Sequence, residues 1–176
     1  MAFLLDQVDI DTLLNVVRRQ EGSTQAADPD APMRPFDDLI SKAGAVGAMQ
    51  IVPSAATEVG YGIPSIFDVA RGLGFDVETE DEATSRMLAR DPQIAREYAK
   101  NYLIGAYDEL GSVDAAVGSY NVGIPAMKRI LSGDKPMPSE TGMYIPEVHR
   151  WYSESGRTYP REVIPAPQLR PKGLLD

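Results

Sequence analysis

The spacing of apolar residues predicts that the chain is mainly helical. The first amphipathic stretch covers residues 9–21, where apolar positions recur at the i, i+3, i+4, i+7 interval of a single helix face. These positions are Ile10, Leu13, Leu14 and Val17. Asp9 or Asp11 can cap the start of this helix, and Gly22 can end it.

Seven further segments have helical patterns or helical start and stop signals. The clearest is residues 91–111, where Asp91 can cap the start, Pro92 suits the first turn and Gly111 can end the helix. The other segments are 53–60, 65–73, 80–90, 112–120, 125–133 and a last helix from about Pro146 to Tyr152. Strand signals are few, so we expect at most a small extended segment, in the glycine-rich residues 44–52.

The composition of the chain changes at residue 160. Four prolines and three basic residues follow within residues 160–176. Such a composition favours an extended segment over a packed core. We therefore predict a folded domain over residues 1–159 and a proline-rich C-terminal arm over residues 160–176. Residues 24–38, rich in proline and aspartate, are predicted to form a loop.

Composition and charge exclude several classes of function. The chain has 176 residues, 43% of them apolar, which suits one domain with a core of its own. Its net charge of −9 argues against a nucleic-acid partner. There is no cysteine, and His149 is the single histidine, which argues against a thiolate site, a multi-histidine metal site or a histidine-based triad. We therefore expect neither a metal nor a cofactor.

Glu21 breaks the apolar pattern of the first helix. Eleven steps of about 100° separate residues 10 and 21, so Glu21 returns to within about 20° of the direction of Ile10. Partial burial and the negative end of the helix dipole would both raise the pKa of such a carboxyl group. A carboxylic acid that stays protonated near neutral pH is suited to general-acid cleavage of a glycosidic bond. The alternative is a helix-end glutamate that faces water or pairs with Arg18 or Arg19.

A series of motifs follows in a fixed order along the chain. Glu21, close to a serine, is followed by GAVGAMQI at residues 44–51 and by a Pro-Ser-Ala-Ala turn. A long helix then ends in NYLIGAYDEL, and AAVGSYNVG and ETGMYIPEV come after it. In this order the motifs resemble those of the soluble lytic transglycosylase family of lysozyme-like domains, over roughly residues 8–152.

The resemblance implies a fold and a set of site residues. The implied fold is mainly α, of the α+β lysozyme-like type, with a helical bundle around a sugar-binding cleft. Glu21 matches the family's single catalytic acid/base. The residues that match substrate-binding positions are Met49, Gln50, Tyr120, Asn121, Glu140 and Tyr144. From the residues alone, Gln50 could instead satisfy backbone groups in a buried loop, and Tyr120 could serve packing.

The resemblance also implies a reaction on peptidoglycan glycan strands. The family cleaves the β-1,4 bond between N-acetylmuramic acid and N-acetylglucosamine, and the C6 hydroxyl of the sugar replaces water as nucleophile. One carboxylate can then suffice, whereas most glycosidases need two. A hydrolytic muramidase on the same fold and an inactive structural or binding module are the alternatives. The second is favoured by one departure, because Gly22 stands where the family usually has serine and Ser23 comes one place late.

The N-terminal sequence leads to an expectation about location. MAFLLDQVDID lacks a basic first segment, and its apolar run of about three residues is shorter than the roughly 7–15 of a signal peptide. No stretch is long enough to span a membrane. A bacterial wall enzyme would need export, whereas a virus particle delivers its own. We therefore expect a bacteriophage virion component that acts in the host periplasm and cell wall, with the arm bound to other virion proteins.

Overall fold

The computed structural model describes residues 8–23, 40–41 and 44–160. Within these residues the fold is built from helices, and the only β pairing consists of two isolated bridges, Ile40 with Val46 and Val46 with Ile51. The predicted mainly α fold class is therefore confirmed. The helices are α1 (Ile10–Ser23), α2 (Ile66–Gly72), α3 (Glu82–Leu88), α4 (Pro92–Leu110), α5 (Val113–Val122), α6 (Ile124–Leu131) and α7 (Ser139–Glu154).

The longest helix, α4, begins and ends where the sequence predicts. The Asp91 side chain accepts hydrogen bonds from the backbone N–H groups of Gln93 and Ile94, and Pro92 occupies the first turn. Gly111 ends the helix with a φ of 71°, in the left-handed region that favours glycine. These signals act within a few residues, so they can be recognised from sequence alone.

The first helix, α1, has the predicted start but a later end. Asp9 caps it by accepting a hydrogen bond of 2.8 Å from the N–H of Thr12. The helix continues through Gly22 to Ser23, so the predicted end at Gly22 was wrong by one residue. Glycine lowers helix propensity without forbidding the helical conformation.

Two predicted elements differ more clearly. Residues 53–60 form turns, in which the N–H groups of Ala55 and Ala56 bond to the Val52 carbonyl, and not the predicted short helix. Helix α7 begins at Ser139, well before the predicted start at Pro146, which lies inside the helix. Proline normally breaks a helix because it lacks the N–H that bonds the carbonyl four residues earlier. Here Thr141 bonds to Asn121 and Tyr144 bonds to Glu21, and these contacts hold the first two turns of α7 in place.

Helix α5 is the centre of the core. It packs against α4, α6 and α7, and α4 in turn contacts α1, α2 and α6. Seven of the ten residues of α5 are buried, and most of them are small. Small side chains let the neighbouring helices approach closely, which places the C-terminal end of α5 beside α1, α7 and the 44–51 segment.

The glycine-rich segment forms a tight hairpin. Val46 and Ile51 exchange backbone hydrogen bonds of 2.9 and 3.0 Å around the turn formed by residues 47–50. Gly47 has a φ of 72°, and a Cβ at this position would overlap the backbone carbonyl oxygen of Ala89. Residue 47 must therefore be glycine for two reasons, its backbone conformation and the close approach of another chain segment.

The C-terminal end of the described chain is held against the core. His149 of α7 contacts the buried carboxylate of Asp114 at 2.6 Å and stacks on the ring of Tyr159 at 3.9 Å. These contacts place His149 at the edge of the core. Residues 24–38 and 161–176 lie outside the described part, so the predicted loop and the predicted boundary of the arm stay predictions.

The Gly47 turn allows a matched pair of substitutions. Gly44 has a φ of 82°, and no described atom lies within 4 Å of the position that its Cβ would take. We expect Gly44→Ala to lower the free energy of unfolding by about 1 kcal/mol through backbone strain alone. Gly47→Ala should lower it by about 1–3 kcal/mol more, because the new methyl group meets a backbone carbonyl. Urea denaturation measures both; equal effects would contradict the proposed clash.

Candidate functional site

Glu21 lies where the first and last helices meet. Helices α1 and α7 run antiparallel, since the Asp9 N–H bonds to the Tyr152 hydroxyl at one end and Glu21 meets Tyr144 at the other. The Tyr144 hydroxyl donates a hydrogen bond of 2.7 Å to Glu21 Oε1. Tyr144 is itself buried, with 4% of its surface exposed. The Glu21 carboxyl group is therefore turned toward the helix interface.

The alternative that Glu21 pairs with Arg19 does not fit the structure. The guanidinium group of Arg19 lies 4.3 Å from the ring centre of Trp151 and 3.8 Å from the carboxylate of Glu154. Both contacts are on the side of α1 that faces the far end of α7. Arg19 therefore does not supply a neutralising charge to Glu21.

The surroundings raise the pKa of Glu21 from 4.5 to about 7. Burial is the main cause, because it disfavours the charged form. The hydrogen bond from Tyr144 opposes this effect by stabilising the carboxylate, and the negative charge of Glu140 adds to it. Glu21 is thus balanced between its acid and its carboxylate form near neutral pH, and a group in that state can both give and take a proton.

Tyr120 connects α5 to the hairpin next to Glu21. Its hydroxyl donates a hydrogen bond of 2.8 Å to the Met49 carbonyl. The pKa of Tyr120 is raised well above its usual value, by burial first and then by the charge of Glu21. The Met49 side chain is in the core, with 2% exposed, so its described contact with the site is through its carbonyl group. The predicted sugar contacts of both residues stay predictions.

Gln50 has a backbone conformation that is more usual for the glycines around it. Its φ is 48°, in the left-handed region that side-chain-bearing residues rarely adopt. The Nε2 group donates a hydrogen bond of 2.9 Å to the Gly47 carbonyl across the turn. The structure therefore supports the alternative that Gln50 satisfies a backbone group. The half-buried side chain also lies in the segment that touches Tyr120, and its predicted contact with sugar stays a prediction.

Thr141 is a residue that sequence reasoning missed. It is fully buried, and its hydroxyl donates a hydrogen bond of 2.6 Å to Asn121 Oδ1. This bond joins α7 to the end of α5. Thr141 continues the buried stripe of Tyr144, Ile145 and Val148 at helical spacing, which is a usable signal. The prediction missed Thr141 because the predicted last helix starts at about Pro146, five residues after it.

Tyr102 packs against the ring of Tyr120. Its hydroxyl donates to the Ser119 carbonyl at 2.8 Å, and its ring meets that of Tyr120 edge-to-face with centres 5.4 Å apart. Aromatic pairs prefer this geometry. The Tyr102 ring packs against the core, while its hydroxyl stabilises the end of α5.

The described residues offer no alternative centre for metal chemistry. Among them, no group of three or more histidine, cysteine, aspartate or glutamate side chains is arranged to hold an ion. In the same part of the chain, no helix has the length and apolar character required to cross a membrane.

Comparison with known families agrees with this geometry. The profile of the Transglycosylase SLT domain family matches residues 36–139, which is more than half of the chain. The chain belongs to this family of peptidoglycan-cleaving transglycosylase domains. A search of the curated proteins gave no significant match, and neither did a search of the solved structures.

The matched residues contain only part of the candidate site. The hairpin, Tyr120 and Asn121 lie inside the match, whereas Glu21, Glu140 and Tyr144 lie outside it. The fold joins the two sets, because Glu21 acts electrostatically on Tyr120 and Thr141, next to Glu140, bonds to Asn121. Ser23 is the last residue of α1, and its side chain is not among those described, so the effect of its one-place shift from the family position is not tested.

Substitutions can separate the opposing effects of Tyr144 and Glu140 on the pKa of Glu21. Tyr144→Phe removes a hydrogen bond that favours the carboxylate, so we expect the pKa of Glu21 to rise above about 7. Glu140→Gln removes a nearby negative charge and should lower it. Carbon-detected NMR titration of the Glu21 carboxyl group measures both shifts.

Tyr152→Phe is the matched control for these titrations. It removes another tyrosine hydroxyl from α7, at the opposite end of the α1–α7 contact. This variant should leave the pKa of Glu21 unchanged. An unchanged Glu21 titration in Tyr144→Phe would mean that the hydrogen bond does not form in solution.

Proposed function

We propose that this protein is a lytic transglycosylase that cleaves the β-1,4 bond between N-acetylmuramic acid and N-acetylglucosamine in peptidoglycan and leaves a 1,6-anhydro end. The observation that carries the proposal is Glu21, which is largely withdrawn from solvent, bonded to Tyr144 and balanced near neutral pH. Membership of the SLT family supplies the substrate class.

In the first step Glu21 is the general acid. Its carboxylic acid form donates a proton to the glycosidic oxygen while the bond between that oxygen and C1 of the muramic acid breaks. The N-acetylglucosamine part leaves with a new 4-hydroxyl group, and Glu21 becomes a carboxylate. The raised pKa provides the proton at neutral pH, and the Tyr144 hydrogen bond stabilises the carboxylate that forms.

In the second step the Glu21 carboxylate is the general base. It accepts the proton of the C6 hydroxyl group of the muramic acid, whose oxygen attacks C1 and closes the anhydro ring. Glu21 ends the cycle protonated, and no water molecule is consumed. One carboxyl group can therefore perform both proton transfers, because the nucleophile belongs to the substrate.

The remaining site residues are proposed to position the sugars. Asn121 and Gln50 carry amides suited to the N-acetyl and hydroxyl groups of the glycan, and Glu140 lies exposed at the start of α7. The support for Asn121 is its fixed orientation, since Thr141 engages its oxygen. Tyr120 and the Met49 carbonyl supply a firm wall beside Glu21. These roles are consistent with a cleft bounded by α1, α5, α7 and the hairpin.

Glu21→Gln is the direct test of the proposed chemistry. Because general acid/base catalysis contributes roughly 10²–10⁴-fold, we expect release of glycan fragments to fall at least about a hundredfold. In the wild type, kcat/KM should decline about tenfold per pH unit above the Glu21 pKa of about 7, since only the acid form begins the reaction. Mass spectrometry of the digest should show anhydro ends; reducing ends would identify a water-using muramidase instead.

Folding of the variant provides the control. Between pH 4.5 and 7 the folded protein keeps a proton on Glu21 that the unfolded chain releases, so wild-type stability falls as pH rises through this window. The loss amounts to at most about 3 kcal/mol. Glu21→Gln lacks this loss and should be at least as stable as the wild type at pH 8. Wall lysis that survives in the folded variant would refute Glu21 as the acid.

We further propose that the enzyme is a bacteriophage virion component that opens the host wall locally. The support is the composition of residues 160–176, whose prolines and basic residues suit an extended segment bound by a partner on an otherwise acidic protein. The described domain ends just before this segment, with Tyr159 packed on His149 and Tyr152. The segment can therefore be removed without cutting into the described core.

Truncation after Pro160 tests the virion proposal. We expect the shortened protein to keep its activity on purified peptidoglycan but to be lost from assembled phage particles, as measured by immunoblotting of purified virions. A variant in which Arg161, Arg170 and Lys172 are replaced by glutamine distinguishes the charge of the segment from its length. Normal incorporation of the truncated protein would remove the proposed role of the arm.

A further inference from the structure

Tyr61 occupies a strained and exposed turn that the proposed chemistry does not use. Gly60, Tyr61 and Gly62 have φ values of 75°, 57° and 71°, so three consecutive residues are in the left-handed region. This conformation is easy for the two glycines and unfavourable for a bulky aromatic residue. The Tyr61 side chain is nevertheless kept at the surface, with 39% of the residue exposed. A large ring in such a place suggests a ligand, because strain of this kind collects at functional sites.

The neighbouring helices fix this turn in place. Ile63 packs directly against Gly105 of α4, where even a single Cβ would collide with it. The amine of Lys128, from α6, lies 4.9 Å from the centre of the Tyr61 ring and forms an ion pair with Glu109 of α4. The ring is therefore oriented by a cation on one face and remains partly open to solvent. A cation–π contact at an exposed site is weak, so it does not explain why the strain is retained.

Tyr61 is the outer member of a row of tyrosines that leads to Glu21. The Tyr61 turn lies one helical turn along α4 from Tyr102, because Ile63 packs against Gly105 of that helix. Tyr102 packs edge-to-face on Tyr120, and Tyr120 interacts with the Glu21 charge. The row follows the end of α5, where Ser119 accepts the Tyr102 hydrogen bond. The turn that carries Tyr61 is thus linked to the surroundings of Glu21 through α4 and the Tyr102–Tyr120 pair.

We propose that Tyr61 and Lys128 form an outer subsite that binds a sugar of the glycan strand remote from the bond being cleaved. The inference rests on the proposed function, since it extends the same cleft. Sugar rings in β-1,4-linked strands present C–H faces that pack on an aromatic ring, and their hydroxyl and acetyl oxygens accept hydrogen bonds from an amine. A tyrosine ring with an adjacent lysine amine offers both kinds of contact. Holding a distant sugar supplies binding energy that helps to position the scissile bond.

The structural alternative is that Tyr61 only packs the turn. The two ideas differ in their effect on stability. Tyr61→Gly removes the ring and also the left-handed strain, so we expect a melting temperature equal to or above that of the wild type. If the ring were retained for packing, the same change would lower the melting temperature. A functional ring on a strained backbone predicts weaker binding without loss of stability.

The test measures binding in the Glu21→Gln background, where the strand is held but not cut. The probes are β-1,4-linked N-acetylglucosamine oligomers of increasing length, titrated by isothermal calorimetry. We expect affinity to rise with length, and Tyr61→Gly to lower the affinity for the longest oligomers about tenfold while leaving the shortest unchanged. Tyr61→Phe keeps the ring and should retain most of the effect, whereas Lys128→Gln should have an intermediate loss.

Phe75 provides the matched control. It is another exposed aromatic residue, with 37% exposed, in the loop that follows α2. Phe75→Ala should leave the affinity for oligomers of every length unchanged. Two results would overturn the subsite: an unchanged affinity of Tyr61→Gly for long oligomers, or an equal loss of affinity at all lengths together with a lower melting temperature. If the wild type still cleaves the wall, neither result affects the proposed function. A protein that neither cleaves the wall nor binds any oligomer would overturn the proposed function as well.

Discussion

The hydrogen bond between Tyr144 and Glu21 is the contact on which the candidate site depends. It joins the end of α1 to the second turn of α7, two segments at opposite ends of the described chain. Burial raises the pKa of Glu21, and this bond limits the rise, so the carboxyl group stays able to lose its proton. Without burial the group would be an ordinary carboxylate, and without the hydrogen bond it would hold its proton more tightly. The antiparallel packing of the two helices therefore sets the chemistry.

The rest of the site is arranged to keep this contact in place. The hairpin of residues 44–51 can approach the connection between α3 and α4, at Ala89 and Arg90, only because Gly47 has no side chain. The hairpin also offers the Met49 carbonyl to Tyr120. Tyr102 supports Tyr120, and Thr141 fixes Asn121 from within α7. Each of these contacts links different elements of the fold. A wall built in this way is suited to hold a rigid polymer such as a glycan strand, because it does not need to rearrange when the strand binds.

Local signals in the sequence predicted much of the fold and one important feature of the site. The boundaries of α4 follow from Asp91, Pro92 and Gly111, and the inward position of Glu21 follows from the helical period of α1. The start of α7 differs from the prediction, because proline favours the first turn of a helix and Pro146 lies inside this one. Contacts of Thr141 and Tyr144 with other helices hold the turns before it. Residues 53–60 form turns, although α2 and α3 are helical with only seven residues each. Side chains of Ser65 and Asp81 cap those two helices, whereas Val52, which precedes Pro53, has no side chain that can cap a helix.

The sequence by itself determined the helical class and the placement of a carboxyl group on an apolar helix face, because these depend on neighbours within a few residues. Only the tertiary structure decided what that carboxyl group meets. The partners of Glu21, Tyr120 and Asn121 come from segments between 20 and 123 positions away. Helical period fixes the direction of a side chain but carries no information about which distant segment packs against it. The pKa of about 7 arises from that packing and is therefore a property of the fold.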